Sequence, residues 1–412
     1  MFRPDRSDGM DTSRRVIVAG AGPAGLVAAA YLAGEGIPVT VVEQARDLPD
    51  DLRASTFHPP TLDMLGRFPG VVDRLIEQGL ICPTWQFRDR ATGPIATFEM
   101  ARLADDTAHP YRLQCEQWRL TRMLRDILAE NPDVEFLYDA KATEVAQDAD
   151  GVTLTIERPD GSTEPLRAAW LIGADGARSA VRRSLGIGFE GMTIPETYLT
   201  LSTTFRFEDH IPKLANIAYI SDPDEWFVLL QAAGLWRVLL PTAPEEAADE
   251  SRMLAPARIE ARMQGVWPNP QRYEVRHRTA YRVHERVADT YAKGRVFIAG
   301  DAAHINNPLG GMGMNGGVHD AFNLAQKLSA VWRGEADASL MERYSRQRRK
   351  VALDVVQQQA LRNRQLLNQR DPAVRRAYHD ELRGIVADAE KHRAYLLRSS
   401  MIQSLRDLED VA

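Results

Sequence analysis

The sequence predicts an α/β fold: a parallel, doubly wound domain that is discontinuous in the chain, an inserted domain built on a mostly antiparallel sheet, and helices at the C-terminus. Three observations carry this. A short apolar strand running directly into a Gly-rich turn and a helix occurs near residue 20 and again near residue 300. Between them, residues 187–282 alternate or run apolar with aromatics, as strands do. From Ser339 onward the periodicity is helical, with Gly only at Gly384 and Pro only at Pro372.

Taken in order, residues 1–12 read as a loose tail. Arg15-Val16-Ile17-Val18-Ala19 is the continuously apolar kind of strand buried in a parallel sheet, and Gly20-Ala21-Gly22-Pro23-Ala24-Gly25 follows at once. This is GxGxxG between a strand and a helix, the context that makes it a Rossmann-like dinucleotide signal. Gly20 permits the tight turn, Gly22 admits a pyrophosphate to the backbone, and Gly25, next to Ala24, lets the helix pack closely. Helix amides and the positive dipole end then face the phosphates. The strand Val39-Thr40-Val41-Val42 ends in Glu43, about 20 residues on, where a carboxylate accepts from a ribose hydroxyl. Thr84-Trp85-Gln86-Phe87-Arg88 and Ile95-Ala96-Thr97-Phe98 form two short strands around a Gly93-Pro94 turn and pair with the inserted sheet. Trp170-Leu171-Ile172-Gly173-Ala174-Asp175 reads on its own as a strand, a turn and a helix capped by Asp175 or Ser179.

Strand Val296-Phe297-Ile298-Ala299-Gly300 is followed by Asp301, then by Pro308-Leu309-Gly310-Gly311-Met312-Gly313-Met314-Asn315. A carboxylate placed to bind a ribityl chain, and a Gly-rich loop opening a helix whose free amides can face a flavin ring, assign the cofactor as FAD. An ordinary strand-loop-helix joint needs one Gly at most. The FAD domain is therefore expected at 13–82, 109–185 and 283–334, the substrate domain at 83–108 and 186–282, and a helical region at 335–412.

Composition agrees. A chain of 412 residues exceeds one hydrophobic core, and 44% apolar with 26% charged residues is that of a globular protein. A net charge of −6 argues against nucleic acid as the main partner. The two cysteines, Cys82 and Cys115, suit neither a disulfide framework nor a metal site and read as reduced core thiols. No apolar run is long enough to span a membrane, and the N-terminus lacks the apolar core of a signal peptide, so a cytoplasmic monomer or homodimer is expected.

The three Gly-rich motifs, in this order and at these distances, make the sequence resemble the class A flavoprotein monooxygenases of the para-hydroxybenzoate hydroxylase type over most of the chain. Arg53-Ala54-Ser55 with Pro60-Thr61-Leu62-Asp63 looks like that family's Arg-bearing segment near the FAD diphosphate. The resemblance implies FAD contacts at Gly20, Gly22, Ala24, Gly25, Glu43, Arg53, Gln114, Asp175, Asp301, Gly311, Gly313, Met314 and Asn315. Arg112, Gln114 and Arg119 compete for one place near the start of the helix within 111–128. It implies a flavin and substrate loop at Pro308, Gly310 and Gly311, with no certain acid-base residue; His304 is as much a packing residue as a functional one. Met312 and Leu309 depart from the residues common in relatives, so substrate identity does not carry over.

Tyr219, Trp226, Arg237 and Pro308 are the candidate substrate contacts. Large aromatics on strands, Trp226 and Trp236 among them, read first as sheet core, and Arg237 reads first as a surface residue with a solvated head. The basic block Arg343, Arg346, Arg348, Arg349 and Lys350 reads first as a solvated helix face or a subunit contact, rather than as a guide for an anionic nicotinamide.

The implied reaction is hydroxylation of an electron-rich aromatic or heteroaromatic small molecule, with NADPH or NADH and O2, through a flavin C4a-hydroperoxide. The Asp175-Gly176 segment with Arg178 looks like the family's combined FAD and NAD(P)H motif, and no second GxGxxG exists for a separate nicotinamide domain. The alternatives are a flavin-dependent halogenase, whose Trp-x-Trp-x-Ile-Pro signature is missing, an oxidase on the same fold, and a FAD-binding sensor without turnover.

Overall fold

The computed structural model describes residues 14–50 and 54–411; the expected tail at 1–12 and Arg53 lie outside the described residues. The apolar strands assemble a six-stranded sheet in the order Ala292–Lys293, Val296–Ile298, Trp170–Gly173, Val16–Ala19, Val39–Val42, Val134–Leu137. All neighbours are parallel except the first pair. The inner strands share one core with helix Pro23–Gly34 and with Val152, Leu154 and Ile156 of a small antiparallel meander, which is why they are apolar. Helix Pro23–Gly34 packs against the long helix Gly313–Trp332, so the first and last Gly-rich motifs meet.

That meeting needs glycine at two points. Gly20 has φ +104°, and a Cβ there would lie 2.3 Å from the Ala174 carbonyl oxygen. A Cβ on Gly25 would lie 2.0 Å from the Gly20 carbonyl oxygen, so the helix could not seat on its turn.

The inserted sheet has eight strands, in the order His304–Ile305, Val275–Ala288, Phe189–Thr203, Leu235–Thr242, Phe227–Ala232, Ile217–Ser221, Thr84–Asp89, Gly93–Glu99. It is antiparallel except between Ile217–Ser221 and Thr84–Asp89. The hairpin at 84–99 joins it as expected, but Gly93 and Pro94 lie inside the second strand. The turn is at 90–92, where Asp89 Oδ1 accepts from the Ala91 and Thr92 amides at 2.9 and 2.8 Å. The boundary expected at 282/283 falls within the continuous strand Val275–Ala288, whose Arg286 and Val287 pair with Ile305 and His304.

Alternation gives this sheet two faces. Leu199, Leu201, Phe227, Leu229, Trp236, Val238 and Leu240 form a core with Ile259 and Met263 of helix Pro256–Val266. Thr200, Arg237, Leu239, Val228, Leu230 and Tyr219 point the other way, toward the first sheet. A small meander of Lys141–Gln147, Val152–Glu157 and Thr163–Ala168 interrupts the parallel domain without a distinguishing signal in the sequence.

The C-terminal region is helical as expected, and it completes both units. Helix Leu340–Val351 packs on Gly313–Trp332, while Pro372–Ala387 packs on strand Gly93–Glu99. Leu366, Leu382, Tyr395 and Leu396 share a core with Trp85, Phe87 and Phe98. The basic block is not a uniformly solvated face. Arg348 is buried, with its Nε donating to Asp320 Oδ1 at 2.6 Å, and Arg349 donates to the Ala288 carbonyl. Asp320 Oδ2 accepts from His304 Nε2 at 2.8 Å and from the Gly300 amide at 3.0 Å. Removing this buried carboxylate in Asp320→Ala leaves Arg348 unpaired, and we expect a loss of about 3–5 kcal/mol, read as a fall in the denaturant midpoint.

Candidate active site

The carboxyl ends of the parallel strands and the face of the antiparallel sheet that carries Thr200, Tyr219, Val228, Leu230, Arg237 and Leu239 enclose a cavity of about 590 Å³. This is the crevice where α/β sheets bind ligands. Its first end is built by the turn after Val16–Ala19. Gly20, Ala21, Gly22 and Ala24 line it. A Cβ on Gly22 would meet nothing within 4 Å, so this glycine keeps space open in the cavity rather than serving the packing of the protein. Gly25 does not line the cavity; its place is in the helix seat described above.

Glu43 also lines this end. Its Oε2 accepts from the Ala21 amide and its Oε1 from the Ala45 amide, both at 2.9 Å. These bonds fix the carboxylate's orientation while each oxygen retains acceptor capacity.

Along the middle lie Asp175, Arg178 and Asp301. Both expected caps of the third motif act. Ser179 Oγ accepts from the Arg182 amide at 2.9 Å, and Asp175 Oδ2 accepts from the Ala180 and Val181 amides at 2.7 and 3.1 Å. Asp175 thus borders the cavity with its carboxylate committed to the helix start.

At the far end are Pro308, Leu309, Gly311, Met312, Gly313 and Met314, opposite Tyr219, Val228, Leu230, Arg237 and Leu239. The loop's shape depends on Asn315. Its Nδ2 donates to the Thr56 and Gly311 carbonyls at 2.8 and 2.6 Å, and its Oδ1 accepts from the His58 amide at 2.9 Å. His58 Nε2 donates to the Gly310 carbonyl at 2.9 Å; burial, with Arg112 adding to it, holds this imidazole well below its usual pKa and hence neutral. Asn315 and Gly310 therefore shape the loop from behind, and neither lines the cavity.

Glu285 braces the same loop from the strand beside it. Its Oε1 accepts from the Asn307 amide at 2.9 Å and from Asn307 Nδ2 at 2.5 Å, and Asn307 Oδ1 accepts from the Leu309 amide at 2.9 Å. Pro308 is thus held on both sides. Burial pushes the Glu285 carboxyl up to about 7, and Oε2 has no partner.

Several sequence expectations need correction. Gln114 is buried away from the cavity, accepting from Ser55 Oγ at 2.9 Å and donating to Thr56 Oγ1 at 2.8 Å. Arg119 donates to Gln78. The residues of that segment that reach the cavity are Gln117, Trp118 and Thr121. Trp226 is core, edge-on to Tyr198 at 5.5 Å between ring centroids, as its strand position favoured. Arg237 is not a solvated surface residue: it is 5% exposed, its Nη2 lies 2.5 Å from Glu116, and its Nη1 has no partner. Cys82 and Cys115 are free and buried.

These residues fit FAD: an open glycine turn at a helix N-terminus, an oriented carboxylate at the end of the second strand, and a glycine loop at the opposite end of one continuous cavity. The family model for the FAD binding domain matches residues 13–359. The chain belongs to the class A flavin monooxygenases.

It is 37% identical over 402 residues to para-nitrophenol 4-monooxygenase of Pseudomonas sp. (strain WBC-3), covering 97% of this chain and 96% of that one. It is 33% identical to 6-hydroxy-3-succinoylpyridine 3-monooxygenase HspB of Pseudomonas putida, covering 93% and 97%. Among solved structures, p-nitrophenol 4-monooxygenase PnpA from Pseudomonas putida DLL-E4 superposes with a TM-score of 0.89 at 34% identity, covering 96% of this chain and 99% of that chain. Aklavinone-11 hydroxylase in complex with FAD and aklavinone gives 0.76 at 28% identity, covering 87% and 70%.

This class A monooxygenase hydroxylates an aromatic small molecule, with FAD as cofactor and NAD(P)H as co-substrate. When bound, FAD would carry the electrons of NAD(P)H to O2 and so activate it.

Two glycine variants separate the cofactor's space from the protein's own packing. Gly22→Val is expected to keep the apoprotein's thermal midpoint and lose FAD, whereas Gly25→Ala lowers the midpoint itself. Flavin absorbance and calorimetry on both read this directly, and equal behaviour of the two would contradict the assignment. Glu285→Gln tests the loop brace. A carboxyl raised from 4.5 to about 7 holds its proton longer folded than unfolded, so its stability contribution is full below pH 4.5 and lost as pH rises toward 7. The neutral amide escapes that loss, so the variant gains on the wild type by roughly 3 kcal/mol between pH 4.5 and pH 8, measurable as a widening gap in unfolding midpoint.

Proposed function

We propose that this enzyme acts on a para-substituted phenol or the corresponding hydroxypyridine, and delivers oxygen to the ring carbon para to the hydroxyl. The observation that carries this is the numbering shared by its relatives' names. Position 4 of para-nitrophenol and position 3 of a 6-hydroxypyridine both lie opposite the hydroxyl, as does position 4 in pentachlorophenol 4-monooxygenase of Sphingobium chlorophenolicum, 29% identical over 86% of this chain. The cavity supports it: Val228, Leu230, Leu239, Leu309 and Met312 offer apolar walls for one ring, with Thr200, Tyr219 and Tyr281 as hydroxyl-bearing side chains of the same lining.

In this reading Gly20, Gly22, Ala24 and Glu43 hold the adenosine diphosphate, and Asp301 the ribityl region. The loop at Pro308, Gly311 and Gly313 with Met314 faces the flavin ring, where helix-start amides favour negative charge. Buried Arg237, ion-paired to Glu116, adds a donor nitrogen without a protein partner beside the cavity. NADPH or NADH reduces the flavin directly, without a partner reductase. A cytoplasmic monomer or homodimer completes the proposal; no described helix is long and apolar enough to cross a membrane.

With 4-nitrophenol, oxygen delivered to the nitro-bearing carbon gives an adduct that sheds nitrite and leaves 1,4-benzoquinone. One NAD(P)H and one O2 are consumed, and the second oxygen atom leaves as water. Under 18O-labelled dioxygen we expect one labelled oxygen in the quinone and stoichiometric nitrite. Label found only in hydrogen peroxide at substrate saturation would instead describe an oxidase.

A further inference from the structure

A second cavity, of about 550 Å³, lies between helices Pro23–Gly34, Gly313–Trp332, Leu340–Val351 and Ile402–Arg406, and shares no lining residue with the first. Its walls are of two kinds. Tyr31, Met64, Phe322, Leu405 and Leu408 supply an apolar side, where Phe322 stands edge-on to Tyr31 at 5.6 Å between ring centroids. Lys327 and Arg343 supply a cationic side. Arg343 comes from the basic block whose Arg348 and Arg349 turn inward and whose Lys350 bridges to Asp354.

Among the described residues neither Lys327 nor Arg343 has a carboxylate partner. Lys327 Nζ commits one of its three donors, to Asn323 Oδ1 at 2.9 Å. Arg343 gives Nε and Nη2 to the Val411 and Glu409 carbonyls at 2.9 and 3.1 Å, which leaves Nη1. The third cation of the lining, Arg67, is already paired with Glu35 and lies 4.2 Å over the Tyr31 ring. Glu409 is the lining's one carboxylate, and it is exposed. Burial, with Arg343 and Arg348 adding to it, lowers the Lys327 ammonium to about 8. His319 is the most buried side chain of the lining, at 1% exposed. Its Nε2 lies 2.9 Å from Thr61 Oγ1, its Nδ1 has no partner, and burial keeps the ring neutral. A buried ring nitrogen and two cations are thus left without protein partners around one pocket, a costly arrangement until a ligand meets them.

We infer that this pocket is a second ligand site, which takes a small aromatic carboxylate: the ring against Phe322, Leu405 and Leu408, the carboxylate on Lys327 and Arg343. Both halves of the ligand are required. A bare inorganic anion would leave the apolar side wet, and a neutral ring would leave the two cations unmatched. The carboxylate accepts charge-assisted hydrogen bonds from the free Lys327 donors and from Arg343 Nη1, while His319 Nδ1 meets a polar ring substituent. Because the two cavities share no lining residue, the ligand displaces neither FAD nor the substrate.

The test titrates the oxidised holoenzyme with 2-naphthoate by calorimetry, in two buffers of different protonation enthalpy. We expect saturable binding of one molecule per chain, binding of 2-naphthamide at least about tenfold weaker, and no displacement by sulfate at the same concentration. An arriving carboxylate raises Lys327 from about 8 back toward 10.5, so the complex takes up protons at about pH 9 and almost none at about pH 6.5, where the lysine is already charged. Lys327→Met and Arg343→Met should each weaken 2-naphthoate at least about tenfold, Lys327→Met should abolish the proton uptake, and Lys327→Arg should keep most of the affinity. Leu405→Trp, which fills the apolar side and leaves every charge in place, should weaken binding as much. If Arg343→Met does not fold, Lys327→Met and Leu405→Trp decide. Absence of saturable binding, equal binding of 2-naphthamide, displacement by sulfate, or an affinity unchanged in both Lys327→Met and Leu405→Trp overturns the inference; none of these bears on the phenol reading above.

Discussion

A carboxylate with no exposure to solvent, Asp320, sits where four parts of this protein meet. It belongs to the helix that opens at the glycine loop, accepts from the backbone at the end of the last parallel strand, accepts from the histidine that begins the antiparallel pairing, and is matched by an arginine from the C-terminal helices. One side chain thus fixes where the loop at 300–313 leaves the parallel sheet. Asn315 fixes where it returns, through Gly311 and the segment at Thr56 and His58. Everything the enzyme requires of this loop depends on those two buried anchors being satisfied. Buried polar groups of this kind are high-stakes because each lost partner leaves another uncompensated.

The sites legible in the sequence are those set by local backbone. The strand-turn-helix around Gly20 and the glycine loop after Gly300 announce themselves because a left-handed turn and close helix seating admit few other residues. Gly22, Glu43, Asp301, Pro308, Gly311 and Gly313 from these segments line one cavity. What could not be read is where a side chain points once distant segments arrive. Gln114 and Gln117 are three residues apart in a segment read as facing the cofactor, yet strand pairing turns one inward to Ser55 and Thr56 while the helix start offers the other to the cavity. Arg237 reads as a surface residue until Glu116, 121 positions earlier in the chain, is seen against it. Asn315 has the right address and the opposite duty, because its three bonds go to residues near 57 and 311.

The segment that leaves the parallel sheet after Gly300 is tied at once into the inserted sheet by a short hydrogen-bonded ladder. Strand Val275–Ala288 runs from the inserted sheet to the glycine loop, where it pairs with His304–Ile305 and carries Glu285 beside Asn307. The parallel and antiparallel sheets are therefore tied through this shared loop rather than set apart. The C-terminal helices reinforce this, since one packs on the parallel side and others finish the aromatic core at Trp85 and Phe98.

The alternation of the inserted sheet has an evolutionary consequence. Residues that hold the sheet to helix Pro256–Val266 occupy one set of positions, and those facing the cavity, Thr200, Val228, Leu230, Arg237 and Leu239, occupy the other. Folding and recognition are therefore written on opposite sides of the same strands, offset by a single residue. A lineage built on this scaffold can exchange one set while the other stays intact, so that new ring substituents are accommodated by point changes that never enter the structural core. Mutational drift in specificity is thereby uncoupled from drift in stability, and one backbone can serve chemically different aromatic diets.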